Sequence, residues 1–157
     1  MEYYLLIKLV HILAAVVVTG TGAGIAFFMF MAYRSNNPQA IYITTQHVIL
    51  GDWVFTTPAV ITQIVSGVGL MKLAGYSFSA PWFYWVLGLF LFIGLCWLPV
   101  LRIQYKLREL AKASVENNEV TFEFRQLMRK WILLGIPAFI AILAIFWLMV
   151  FKPFSMV

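Results

Sequence analysis

His11, His47 and Asp52 are ionisable residues set in stretches that are otherwise apolar, and they are the first places to look for chemistry. An imidazole in such surroundings can serve as an axial haem ligand, a proton carrier or a metal ligand. It can equally be a neutral ring hydrogen-bonded to a neighbouring hydroxyl or amide. Asp52 is followed by Trp53, Thr56, Thr57 and Pro58, and a proline inside a helix frees backbone carbonyls. A carboxylate beside free carbonyls and hydroxyls suits a proton or cation site. The same carboxylate bonded to Thr19 or Thr21 would instead lock one helix against another.

The elements that must position these residues are read from the composition. Of 157 residues, 63% are hydrophobic and 11% charged, against about a quarter charged in soluble domains. The apolar excess falls in four runs near residues 4–33, 53–72, 82–101 and 131–151, each reaching the roughly 20 residues that cross a bilayer. In lipid a run must satisfy its own backbone hydrogen bonds, which makes each a helix. The expected fold is all-α: one transmembrane domain over residues 1–157, an integral membrane up-and-down four-helix bundle with helices near 4–33, 40–73, 79–115 and 121–152. The first run stays apolar from 9 to 33, longer than the about 7 to 15 residues of a signal-peptide core, and is expected to be a retained helix.

Asn36, Asn37 and Pro38 suit a tight turn, and Ser79 with Pro81 a capped first turn of the third span. Between the third and fourth spans, Ile103, Leu107 and Leu110 recur at helical spacing among charges, and Asn117 and Asn118 read as the turn of a helical hairpin extension. If the spans alternate, Arg34, Arg102, Lys106, Arg108, Lys112, Arg125, Arg129 and Lys130 share one side, while Lys8, Lys72 and Lys152 share the other. The positive-inside rule places the first side, with the hairpin, in the cytoplasm. The net charge of +5 therefore reports topology and gives no reason to expect nucleic acid. Aromatic belts agree, with Tyr3, Tyr4, Tyr76, Trp82, Tyr84, Trp85 and Trp147 at one interface and Tyr33, Tyr42, Trp97, Tyr105 and Trp131 at the other.

Counting about 1.5 Å per residue from the turn puts His11 roughly 33 Å and His47 roughly 10 Å away from it, too far apart for one metal centre. At the level of His11 the second span presents Gln63, Thr62 and Ser66. Asp52 is expected inside the bilayer, level with residues 20–24. That stretch contains Gly20-x-x-x-Gly24, a small-residue face suited to close helix packing and to threonine bonds across the contact. Cys96 is the single cysteine, so no intrachain disulfide or thiolate cluster can form, and the seven methionines lack a clustered copper-transfer spacing. The sequence shows no internal repeat, phosphate loop or nucleophile elbow.

The segment Tyr4-Leu5-Leu6-Ile7-Lys8-Leu9-Val10-His11-Ile12-Leu13, with its Lys-x-x-His near a helix end, resembles the first helix of the HemJ-type protoporphyrinogen oxidases and, more distantly, of the CopD-like copper-resistance proteins. Over most of its length, including Gly51-Asp52-Trp53 and residues 58–70, the chain looks most like an uncharacterised family of bacterial integral membrane proteins near that group. The first resemblance implies haem b with His11 as an axial ligand. The continuation Ile25-Ala26-Phe27-Phe28-Met29-Phe30 lacks the proline and arginine of that helix in the oxidases. Taken with the basic bias, the resemblance implies a multi-pass protein of the bacterial inner membrane with both termini periplasmic.

Three functional expectations follow. The first is haem b at His11, with Gln63 or Ser66 holding the other ring nitrogen, and redox chemistry such as electron transfer to a quinone or porphyrinogen oxidation. The second is a small transporter or ion-handling subunit built on Asp52, Thr19 and Thr21. The third is a membrane scaffold without chemistry. The expected partners are the lipid bilayer and a second copy or another membrane protein, and no reaction is assigned.

Overall fold

The computed structural model describes residues 2–151 and is helical throughout apart from short connections. The helices are α1 (Glu2–Arg34), α2 (Pro38–Gly51), α3 (Thr57–Leu73), α4 (Pro81–Asn117) and α5 (Phe122–Phe151), with a π-helical turn, Asp52–Thr56, joining α2 to α3. That turn makes Pro38–Leu73 one span, giving four helices of 33, 36, 37 and 30 residues that are long and apolar enough to cross a membrane. Lys152, and with it the expected end of the last helix, lies outside the described residues.

Local chemistry sets the boundaries. The Asn37 side chain accepts from the amides of Gln39 and Ala40 at 3.0 and 3.1 Å, and Pro38 occupies the first turn of α2, where no amide is needed. Asn118, with φ of 52°, closes α4 as the Glu119 amide reaches back to the Ser114 carbonyl. The expected cap at Ser79 does not form. Ala80 precedes α4, and Ser79 bonds Ser77 within the connection.

The π turn has an identifiable cause. Pro58 has no amide, and its ring presses on the carbonyl four residues back, so the preceding turn widens. The Thr57 amide then reaches five residues back to the Asp52 carbonyl. The Trp53 carbonyl thereby loses both its ordinary donor, Thr57, and the wider alternative, Pro58.

The buried apolar core lies at one end of the bundle, the end carrying the turns at 34–37 and 118–121. Met29, Ile41, Val48, Val100, Leu107, Ala111, Val120, Phe124, Met128 and Trp131 form one cluster drawn from α1, α2, α4, α5 and the turn before α5. The hairpin of α4 and α5 therefore does not stand alone, because α1 and α2 run beside it, with the Tyr33 and Phe124 rings 6.2 Å apart. Towards the other end the bundle divides into pairs. There α3 packs on α1 and α4 on α5, and among the described residues α3 approaches neither α4 nor α5.

Helix length explains the division. A hydrocarbon core is about 30 Å thick, or about 20 residues of helix, and α4 has 37 residues. Its surplus follows Arg102 and carries Lys106, Arg108 and Lys112, which face water or headgroups, as do Arg125, Arg129 and Lys130 on α5. In water, apolar faces associate at about 25 cal/mol per Å². In lipid they gain no such drive, and packing relies on shape and polar contacts.

Candidate functional site

The imidazole of His11 sits in the seam between α1 and α3. Its Nδ1 lies 2.8 Å from the Ser66 hydroxyl, the level at which counting from the turn placed Ser66. The ring fits because residue 67 is glycine, since a Cβ there would stand 3.3 Å from His11 Cε1. At Gly69, two residues on, a Cβ would make only an ordinary contact with Ile7 at 3.8 Å.

Counting protons fixes the tautomer. Ser66 has one hydroxyl proton and donates it to the Thr62 carbonyl, with the Gln63 carbonyl a distant second acceptor at 3.5 Å. Its oxygen must therefore accept from the ring, which puts the hydrogen of the neutral imidazole on Nδ1 and the lone pair on Nε2. Nε2 has no hydrogen-bond partner among the described residues. A half-buried imidazole oriented through one nitrogen and unclaimed at the other could hold a metal ion or a cofactor metal at Nε2.

A second polar layer lies where the two helix pairs separate. Gln104 Nε2 donates to Asp52 Oδ2 at 2.7 Å, and both side chains are buried, at 4% and 5% exposure. One residue along, Trp53 Nε1 donates to the Tyr105 hydroxyl at 2.9 Å, in an exposed position. Thr45 and Thr56 are buried on the same face of the span as Asp52. The oxygen Oε1 of Gln104, Thr56 Oγ1 and Trp131 Nε1 are buried without partners. Thr45, Gln104 and Trp131 also line one crevice with Met29, Val48 and Leu107.

The remaining expected site residues fall as follows. Gln63 makes no hydrogen bond to the imidazole, and its Oε1 is buried without a partner. Thr19 bonds the Ala15 carbonyl of its own helix at 2.8 Å, and Thr21 packs its methyl towards Gly51, so neither holds Asp52, whose partner comes from α4. A Cβ on Gly20 or Gly24 would meet nothing within 4 Å, whereas at Gly51 it would stand 3.2 Å from Ile25. The close approaches within the chain are thus on the glycines of the second span. Asp52 is level with Gln104, two residues beyond Arg102 in α4. His47 is exposed and precedes Ser66 by 19 residues, about 28 Å of helical rise. Cys96 is buried and free.

The sequence did not single out Gln104 or Gly67, and it offered Trp131 only as an interfacial ring. For Gln104 a signal was present, since Val100, Gln104, Leu107 and Ala111 recur on one helical face. A single polar residue interrupting that buried stripe marks a partnered position.

A family model described as "Predicted integral membrane protein (DUF2269)" matches residues 5–153. No curated protein and no solved structure matches the chain.

Proposed function

The chain belongs to the DUF2269 family of integral membrane proteins, and on that premise we propose that it binds haem b through His11 and is redox-linked. One observation carries the reading. The Ser66 proton is spent on the Thr62 carbonyl, which leaves His11 Nε2 with a lone pair that no described residue claims. Haem, when bound, supplies one-electron exchange. The chain's own residues do the rest: Ser66 fixes the ring and makes Nε2 a better donor, and Gly67 leaves room for the Cε1 edge of the ring against α3. With His47 about 28 Å away, each chain offers one histidine, and a second copy is the partner that would complete a two-histidine ligation. The eight-to-three distribution of Lys and Arg supports a bacterial inner-membrane orientation with the turns at 34–37 and 118–121 cytoplasmic, the termini periplasmic and His11 in the outer half.

The test is the absorption spectrum of protein purified from native membranes. The expected result is a Soret band that disappears with His11→Ala, persists with His47→Ala, and persists with a shifted reduction potential in Ser66→Ala. A colourless wild type from haem-replete cells, or a band indifferent to His11, overturns the reading.

A further inference from the structure

We infer that Asp52, Gln104 and Thr56 form a binding site for a desolvated monovalent cation of about sodium size, at the level where the two helix pairs part. The inference is independent of the haem reading, since it uses none of the same residues.

The carboxylate of Asp52 has no basic partner among the described residues. Asp52 is 5% exposed, and its one hydrogen bond comes from a neutral amide. Among the described residues, the single ion pair joins Arg108 to Glu109, so no base neutralises the carboxylate. A buried carboxylate with one neutral donor is costly and calls for a proton or a cation.

The unpartnered atoms around Asp52 choose between them. Gln104 is 4% and Thr56 7% exposed, and both keep a buried oxygen without a partner. The Gln104 Oε1 belongs to the amide whose nitrogen touches Asp52, so it lies within about 5 Å of the carboxylate by covalent geometry. Thr56 follows Asp52 by one turn of the π segment, and both are buried on the inner face. A proton on Asp52 leaves one atom of the Gln104 amide unpaired whichever way the amide is turned, and leaves Thr56 unpaired as well. A cation engages the carboxylate and both oxygens together, and oxygen is the donor set that hard cations take. One carboxylate balances one positive charge, which selects a monovalent ion over a divalent one. The crevice that Gln104 lines with Met29, Thr45, Val48, Leu107 and Trp131 leaves no room for a water molecule, so an ion at Gln104 would shed its water on that side.

The experiment is a thermal denaturation series on the full chain in detergent, with NaCl, KCl and LiCl each compared with choline chloride at equal ionic strength. A saturable rise in Tm of about 3–6 °C in NaCl is expected, smaller in KCl. Asp52→Asn should abolish the response, Thr56→Val should weaken the apparent affinity about tenfold, and His11→Ala should leave it intact. A wild-type Tm that is the same in choline and in all three salts overturns the site, and that measurement needs no variant to fold. A full sodium response in Asp52→Asn overturns it as well, because the ion then binds elsewhere.

Discussion

The two halves of this bundle are built from similar apolar helices and pack by different rules. At the end with the turns, four helices close round Phe124, Met128, Leu107 and Ala111, all at or below 1% exposure. Towards the other end the helices associate in pairs, and Leu95 and Val150 are 72% and 75% exposed. The difference is one of solvent. Where charged residues show that the helices stand in water or headgroups, burial of apolar surface is rewarded. Where the surroundings are hydrocarbon, small residues and polar contacts such as His11 with Ser66 decide which helices touch.

The largest expected effect tests that contrast directly. Phe124→Ala empties a fully enclosed position and should destabilise the protein by about 3–5 kcal/mol. Leu95→Ala, at a face 72% exposed, should stay within about 0.5 kcal/mol. Denaturant titration in mixed micelles reads both, and similar losses at the two positions would mean that the two halves are not packed differently.

Much of this was legible in the residues. Apolar runs and charge placement foretold four spans, and a count of helical rise brought His11 to Ser66. The count took the turn as the membrane surface, whereas α4 runs about 15 residues past Arg102, and that length sets where the Asp52 layer stands along the bundle. The Asp52 partner was hidden for a related reason. Gln104 stands among charges that read as a solvated helix, and only the bundle's geometry turns that face inward. The Gly20-x-x-x-Gly24 spacing identified a small-residue face without saying where it points. In the structure it has no neighbour, while Gly51 and Gly67, at no motif spacing, make the close approaches.

At the junction of the halves, Gln104→Leu should cost about 1–3 kcal/mol, because it strands a buried carboxylate. In choline chloride, Asp52→Leu combined with Gln104→Leu should be more stable than either single variant, since the polar requirement is removed from both sides. A double variant as unstable as the sum of the singles would show that the pair is not coupled.

In the lipid-facing half, Gly67→Val should cost about 1–2 kcal/mol by pushing a side chain into the imidazole. The corresponding Gly24→Val has open space before it and should stay within about 0.5 kcal/mol. Thermal melts of the two variants would decide the matter, and a greater loss at Gly24 would point to a neighbour that the single chain does not contain.

The smallest expected effect is the sharpest control on the junction. Trp53 with Tyr105 and Asp52 with Gln104 are neighbouring pairs joining the same two spans, with donor–acceptor distances of 2.9 and 2.7 Å. They differ in exposure, with Trp53 at 54% and Tyr105 at 39%, against 5% and 4% for the inner pair. A hydrogen bond open to water or headgroups exchanges one polar partner for another and is worth little. A buried one has no substitute when broken. Double-variant cycles with Trp53→Phe and Tyr105→Phe should therefore give a coupling below about 0.5 kcal/mol. The cycle through Asp52 and Gln104 should exceed about 1 kcal/mol. If the outer coupling matched the inner one, Trp53 and Tyr105 would have to be shielded in the membrane by lipid or by another chain. The water boundary would then lie farther along α4 than Arg102.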